Sequence, residues 1–135
     1  MPPAYLLDRN IVSYFVRGNF PAVRKQVARK PLESLAVSAV TEGELRYWVA
    51  SCPRSIRTRT GVEDFLVRVA SLPWDSDAAR TYAGARNQLK RKGRALNSAD
   101  LMIAAHALSL DLTLVTHDSI FAFVDGLKTE DWTVG

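Results

Sequence analysis

Short apolar runs alternate with longer helical patterns along nearly the whole chain, and this alternation is the feature that most restricts its fold. The runs 4–7, 35–40 and 112–116 have the length and residue types of buried strands. Strands that alternate with helices in this way form a mostly parallel sheet with helices on both faces. The sequence therefore predicts an α/β protein, and its 135 residues fit a single domain over 1–135.

The helical patterns between these runs differ in how apolar they are. The predicted helices cover 10–16, 21–30, 41–50, 56–70, 77–92 and 99–110, with a short helical turn at 121–124. Gly93 is placed to end the fifth helix. Residues 101–108 are apolar nearly all round, which predicts a buried helix packed between the sheet and another helix. An extended piece at 71–74 and an edge strand at 132–134 complete the prediction.

Charge and cysteine content narrow the classes of protein. The net charge is +4, and the basic residues form three clusters, at 24–30, 54–59 and 86–94. A polyanion partner would explain these clusters, although solvated helix faces would produce the same pattern. The single Cys52 fits a reducing compartment. The sequence shows no secretory signal and no apolar run of about 18 residues, so we expect a cytoplasmic protein outside the membrane.

Four acidic residues far apart in sequence are predicted to meet at one edge of the sheet. Asp8 follows the first strand directly, and Asp118 follows the strand 112–116. Glu44 and Asp100 are predicted in the first turns of helices. Because ligands of open parallel sheets bind beyond the carboxyl ends of the strands, these four side chains are candidates for one pocket.

Such a pocket is suited to a hard cation. Clustered carboxylates repel one another unless a cation neutralises them. Oxygen ligands without His or Cys favour Mg²⁺ or Mn²⁺. A metal held in this way activates water and stabilises charge on a phosphate during in-line displacement. The basic helices would offset the repulsion between the acids and a nucleic acid.

Each acid also has a local structural explanation to weigh. Residues 41–44, Thr-Glu-Gly-Glu, match a capping box that would account for Glu44. Asp100 suits the helix dipole after a cap at Asn97 or Ser98, and Asp118 could cap a turn. Asp8 has the least local reason to be acidic. The joint occurrence of the four, more than any single residue, indicates a site.

Five segments resemble the PIN-domain ribonucleases, specifically the VapC toxins of type II toxin–antitoxin systems. They span nearly the whole chain in the order and spacing of that family: residues 5–14 (YLLDRNIVSY), 38–45 (SAVTEGEL), 100–109 (DLMIAAHALS), 114–118 (LVTHD) and 126–132 (GLKTEDW). The resemblance implies a three-layer α/β/α PIN-like domain and an acidic pocket that binds Mg²⁺ or Mn²⁺. It also implies endonucleolytic cleavage of RNA, often a tRNA or rRNA, a homodimer, and a small VapB-like antitoxin that blocks the pocket.

Carried over residue by residue, the resemblance makes Asp8, Glu44 and Asp100 the firmest catalytic and metal-binding positions. Asp118 falls on a fourth acid that is more variable in the family. Asn10 matches a polar residue that could assist a metal-bound water, and Thr116 matches a hydroxyl at the strand end.

Arg9 departs from the family pattern, which usually has Thr at this position. Arg9 could pair with Asp8 or Asp118 and weaken metal binding, reach a substrate phosphate, or turn to solvent. The main alternative is therefore a catalytically weak or inactive PIN module that binds RNA or its antitoxin without cleavage. Receiver-domain and haloacid-dehalogenase patterns are not met. His106 is predicted to be a hydrogen-bonded core residue.

Overall fold

The computed structural model describes residues 2–134, which contain five strands and six α-helices. The strands are β1 (Tyr5–Leu7), β2 (Leu35–Ser38), β3 (Ala70–Leu72), β4 (Thr113–Val115) and β5 (Thr129–Glu130). The helices are α1 (Arg9–Arg17), α2 (Pro21–Arg29), α3 (Ala39–Ser51), α4 (Ile56–Arg68), α5 (Ser76–Arg91) and α6 (Ser98–Leu110). Short 3-10 helices cover Leu32–Ser34 and Ser119–Phe123.

The strands form a single parallel sheet in the order β3-β2-β1-β4-β5. β1 lies at its centre, with Leu6 opposite Ala36 of β2 and Leu114 of β4. All four strand pairs are parallel, so their carboxyl ends share one edge. The predicted parallel sheet is therefore confirmed.

Alternation along the central strands divides the core into two parts. Successive strand residues point to opposite faces of a sheet. Leu6 and Leu114 pack with residues of α5 and α6 on one face. Leu7 and Val115 pack with residues of α1, α2, α3 and α4 on the other face. Four helices on one face and two on the other confirm the three-layer α/β/α arrangement.

The boundary between β2 and α3 differs from the prediction. The strand was expected to continue to Val40, but it ends at Ser38 and α3 begins at Ala39. The Ser38 hydroxyl accepts a hydrogen bond from the Val40 N–H (3.1 Å) and caps the helix. The predicted capping box at residues 41–44 is therefore wrong. Glu44 lies in the second turn of α3 rather than the first.

The last strand is also displaced from its predicted position. The prediction placed it at 132–134, whereas β5 is Thr129–Glu130. Trp132 lies beyond the strand and is buried, with its ring 5.2 Å from that of Tyr5 in an edge-to-face contact. Its indole N–H donates to Glu130 Oε1 (2.9 Å). Trp132 therefore fastens the C-terminal segment to the sheet by packing.

The helix α6 is buried as predicted, and His106 is a core residue. The His106 side chain is 1% exposed, and its Nδ1 lies 2.9 Å from the Ser38 hydroxyl. Because the ring also hydrogen-bonds to the Pro73 backbone, three segments meet at this side chain. Burial lowers the pKa of His106, which favours the neutral imidazole.

Candidate active site

The four predicted acids lie along the edge formed by the carboxyl ends of the strands. Asp8 is the first residue after β1, and Asp118 lies three residues after β4. Burial raises the pKa of Asp8, Glu44 and Asp100, and neighbouring acids add to this effect. The negative charge of Asp100 raises the pKa of Asp8 and of Glu44, whereas the negative charge of Asp118 raises the pKa of Asp100. The first three acids thus form one electrostatic cluster, with Asp118 at its side.

Asp8 has a structural role that the sequence analysis missed. It is the N-cap of α1, and its Oδ1 accepts a hydrogen bond from the Ile11 N–H (2.9 Å). Its own N–H donates to the Val115 carbonyl (3.1 Å), which ties the helix start to β4. Only 7% of Asp8 is exposed. Burial raises the pKa of Asp8, and the hydrogen bonds from Thr116 and Ile11 oppose that rise.

Asp100 lies in the first turn of α6 and is oriented by Asn97. The Asn97 side chain accepts a hydrogen bond from the Asp100 N–H (2.9 Å) and caps the helix. The same side chain donates through Nδ2 to Asp100 Oδ2 (2.8 Å). The sequence analysis named Asn97 as one of two candidate caps but not as a residue that orients the acid. Its position three residues before Asp100 was the available signal.

Thr116 links the two acids that follow strands. Its side chain hydrogen-bonds to Asp8. Its hydroxyl also accepts a hydrogen bond from the Asp118 N–H (3.1 Å). Asp118 itself caps the 3-10 helix by accepting from the Ile120 N–H (3.0 Å), as its local explanation predicted. The predicted hydroxyl at the strand end is therefore part of the site's framework.

Arg9 lies against Glu44 rather than Asp8 or Asp118. Its Nε is 4.0 Å from Glu44 Oε2, and about half of its side chain is exposed. Its positive charge acts on Asp8, Glu44 and Asp100, and in each case it opposes the rise in pKa caused by burial. Arg9 thus serves as a partial counterion for the cluster.

One groove borders these residues, and a cavity of similar size lies apart from them. A groove of about 420 Å³ is lined by Arg9, Asn10 and Glu44 together with residues farther along α1 and α3. Asn10 therefore lines the same groove as Glu44. A cavity of about 470 Å³ lies between α1, α2 and α4, where its lining is mostly apolar and holds none of the four acids. We place the site at the acids because they supply the chemistry.

His117, beside Asp118, belongs to a second polar network. Its Nδ1 lies 2.9 Å from Asp131 Oδ2 and 3.1 Å from the Thr133 hydroxyl. No pattern in the sequence indicated this network. It holds the imidazole next to the acidic edge.

The donor set fits a hard divalent cation. Burial and neighbouring acids raise the pKa of three carboxylates here, and the Thr116 hydroxyl lies beside one of them. Carboxylate and hydroxyl oxygens are ligands of the kind that Mg²⁺ and Mn²⁺ prefer. Within residues 2–134, however, no three His, Cys, Asp or Glu side chains already stand close enough to share one ion. The carboxylates would have to draw together around a cation.

Comparison with known proteins agrees with this fold. Residues 5–127 match the family model "PIN domain". The chain is 34% identical to the tRNA(fMet)-specific endonuclease VapC of Shigella flexneri, over 96% of this chain and 98% of that protein. It is 32% identical to Ribonuclease VapC2 of Haemophilus influenzae, over 95% of this chain and 97% of that protein.

Solved structures agree as well. VapBC2 from Rickettsia felis, bound to a DNA fragment from its promoter, superposes with a TM-score of 0.87 at 25% identity, covering 96% of this chain and 98% of that one. DNA-bound VapBC from Salmonella typhimurium superposes with a TM-score of 0.83 at 28% sequence identity, with the same coverage of both chains. The chain therefore belongs to the PIN-domain family. Within that family, its identity to relatives over nearly their full length groups it with the VapC ribonucleases.

Without metal, the acidic cluster should make the stability of the protein depend on pH. Because burial raises the pKa of Asp100 above its usual value of 3.8, the folded state holds its proton more tightly than the unfolded state. The free energy of unfolding then falls as pH rises through the interval above 3.8. Asp100→Asn should therefore be more stable than wild type at pH 7 in EDTA, and this advantage should disappear below pH 3.8. Urea unfolding of both proteins across this pH range measures the difference in their free energies of unfolding. A difference that does not change with pH would contradict the link between Asp100 titration and stability.

Proposed function

We propose that this chain is the toxin of a type II toxin–antitoxin system, a divalent-metal-dependent endoribonuclease that hydrolyses RNA phosphodiester bonds. The observation that carries the proposal is the cluster of Asp8, Glu44 and Asp100, in which burial, with a further contribution from a neighbouring acid, raises the pKa of each carboxyl. Such a cluster is unfavourable unless a cation occupies it. PIN-domain VapC nucleases generally depend on a divalent metal; here we propose Mg²⁺ or Mn²⁺, held by these three residues and Asp118.

The protein's own residues fix the geometry of the reaction. Asp8 is held by Ile11 and Thr116, and Asp100 is held by Asn97, so two of the acids are oriented before substrate arrives. A divalent cation, when bound, supplies a nucleophilic water and neutralises charge on the phosphate. The positive charge of Arg9 reduces the repulsion between this acidic edge and the anionic substrate. We propose that Asn10, which lines the same groove as Glu44, hydrogen-bonds a water there.

The proposed partners follow from the relatives. VapC of Shigella flexneri is named for its action on tRNA(fMet), and the structures from Rickettsia felis and Salmonella typhimurium are VapBC complexes. We accordingly propose a tRNA or rRNA substrate, a small VapB-like antitoxin and a homodimer, for a single-domain protein of the cytoplasm. No helix among residues 2–134 is long and apolar enough to cross a membrane.

A cleavage assay tests the proposed function. Purified protein is incubated with total tRNA, initiator tRNA and rRNA in Mg²⁺, in Mn²⁺ and in EDTA. Asp100→Asn serves as the matched control because Asn97 can still donate to its side-chain oxygen. We expect cleavage by wild type with metal only, and none by the variant. Absence of cleavage by wild type across these substrates and metals would overturn the proposal in favour of a binding module without nuclease activity.

The position of Arg9 favours that alternative and gives a second prediction. A guanidinium 4.0 Å from Glu44 competes with a cation for the same carboxylate. At a partly exposed site such a charge interaction amounts to about 1 kcal/mol or more. Arg9→Thr should therefore bind Mn²⁺ about tenfold more tightly in calorimetry, with faster cleavage at limiting metal. Unchanged metal affinity and cleavage rate would show that Arg9 does not oppose metal binding. The variant Arg9→Lys keeps the positive charge but not the guanidinium, so it shows whether the charge or the shape of the side chain is responsible.

A further inference from the structure

A positively charged groove lies beside the first turn of α6 and shares no lining residue with the groove that contains Arg9 and Glu44. It has a volume of about 360 Å³ and runs between the C-terminal half of α5 and the segment 93–98. Arg86, Lys90 and Arg94 line it, and all three side chains are exposed. Leu89 and Leu101 contribute to its apolar walls. None of the residues lining this groove is acidic.

The charge of this groove is uncompensated. Two nearby cations are neutralised, since Arg80 pairs with Asp77 and Lys92 pairs with Asp125. Within the part of the chain that the structure describes, Arg86, Lys90 and Arg94 make no ion pair. Three unpaired cations in a concave surface create a field that attracts anions.

Two of these cations are held in place by aromatic side chains. The Arg86 guanidinium donates to the Tyr82 hydroxyl (3.1 Å). The guanidinium carbon of Arg94 lies 4.0 Å from the centre of the Phe123 ring. These contacts use one N–H of Arg86 and the flat face of Arg94, and they leave the other guanidinium N–H groups free to form hydrogen bonds. A guanidinium of fixed position is well suited to phosphate, which it can bind through two parallel hydrogen bonds.

The groove reaches the first turn of the helix that carries Asp100. Ser98 and Leu101 line it, and both lie in the first turn of α6, where Asp100 lies between them. Ser98 is only about 3 Å from Asp100 along the helix axis, at 1.5 Å per residue. An extended anionic chain that leaves the groove over this helix start would therefore come close to the Asp100 carboxylate.

We propose that this groove binds the phosphate backbone of the substrate RNA on one side of the scissile bond, with Arg86, Lys90 and Arg94 contacting successive phosphates. The inference rests on the proposed function, because it takes the carboxylates as the point of cleavage. Electrostatic contacts to the backbone carry no sequence information. The groove therefore sets affinity and the placement of the strand.

The experiment compares two triple variants of equal charge. The test protein is Arg86→Gln/Lys90→Gln/Arg94→Gln; the control is Arg54→Gln/Arg57→Gln/Arg59→Gln, whose three exposed arginines lie in the second basic cluster. Each triple variant loses three positive charges, which lowers the net charge from +4 to +1. Binding of a fluorescent RNA that the wild type cleaves is measured in EDTA, so that no cleavage occurs, at several salt concentrations. If no RNA is cleaved, unfractionated tRNA is the probe.

We expect the test variant to bind RNA about tenfold more weakly at low salt. Its plot of log affinity against log salt should be shallower by about 2, because each lost single-strand phosphate contact removes about 0.7 from the slope. The control should keep the slope of wild type. A double variant, Arg86→Gln/Lys90→Gln, leaves the Arg94–Phe123 contact intact and should show about two thirds of the effect of the triple variant.

The outcomes separate this inference from the proposed function. If wild type cleaves RNA and the test variant matches the control in slope and affinity, the groove inference is overturned while the nuclease assignment stands. If wild type cleaves nothing but the test variant still loses RNA binding and slope, the groove binds RNA and the nuclease assignment fails. Loss of binding to an acidic antitoxin segment with unchanged RNA binding would make the groove a protein-docking surface and overturn the inference.

Discussion

Replacing Asp8 by Asn should lower the rate of RNA cleavage at least about 100-fold while preserving the fold. Asp8 has two roles, as the N-cap of α1 and as a member of the acidic cluster. Asn caps a helix as well as Asp does, so the variant loses only the negative charge. Loss of a metal ligand removes several kcal/mol of transition-state stabilisation, and each 1.36 kcal/mol is about tenfold in rate.

Asp8→Ala is the control that separates the two roles. It removes the charge and also the hydrogen bond from the Ile11 N–H, which should cost about 1 kcal/mol of stability beyond the effect of Asn. Circular dichroism and urea unfolding measure this difference, and single-turnover cleavage measures the rate.

Metal binding provides a readout that is independent of RNA. A ligand at 100 times its dissociation constant stabilises the native state by about 2.7 kcal/mol. Wild type should therefore gain stability from saturating Mn²⁺, and Asp8→Asn should gain almost none. If Asp8→Asn cleaves RNA within a few-fold of wild type, or gains the same stability from Mn²⁺, Asp8 is not a metal ligand.

The order of strands and helices was predictable because each depends on a local pattern. Short apolar runs flanked by polar residues marked β1, β2 and β4, and the period of apolar residues marked the helices. The two-faced core was also implicit in the sequence. Leu6 and Leu7 are both apolar, as a strand covered on both faces requires.

Element boundaries were less predictable because they depend on hydrogen bonds to specific side chains. Residues 35–40 read as one β-rich run, yet Ser38 ends it by capping α3. The same kind of error hid the cap at Asp8, since the predicted helix began at residue 10, too late for Asp8 to be its N-cap. The expectation of a strand at 132–134 failed because Trp132 is held by packing against Tyr5 and not by pairing.

The candidate acids were predictable as a set, but their environment was not. Strand ends and helix starts indicated which edge Asp8, Glu44 and Asp100 occupy. Which polar side chains fix them depends on contacts between distant segments. Thr116, for example, reaches Asp8 only because β1 and β4 are neighbours. The contact of Arg9 with Glu44 likewise joins α1 to α3 and has no local signature.

Ser38→Ala should destabilise the protein by about 2–4 kcal/mol, the largest effect on stability that we expect from the loss of a single hydroxyl. Ser38 is fully buried; its oxygen accepts from the Val40 N–H and lies 2.9 Å from His106 Nδ1. Loss of the cap costs about 1 kcal/mol. Leaving His106 buried without its partner costs about 1–3 kcal/mol more.

A double-mutant cycle shows whether the hydrogen bond to His106 is the cause. Ser109→Ala is the matched control, because its hydroxyl donates to the His106 carbonyl in the same helix and leaves the ring untouched; it should cost under about 1 kcal/mol. His106→Leu removes the ring, so adding Ser38→Ala to it should cost only the cap. The coupling energy from urea unfolding should then be about 1–3 kcal/mol. Equal costs for Ser38→Ala with and without the ring would mean that the two residues are not coupled.

The coupling bears on function because Ser38 caps the helix that carries Glu44, and His106 lies in the helix that carries Asp100.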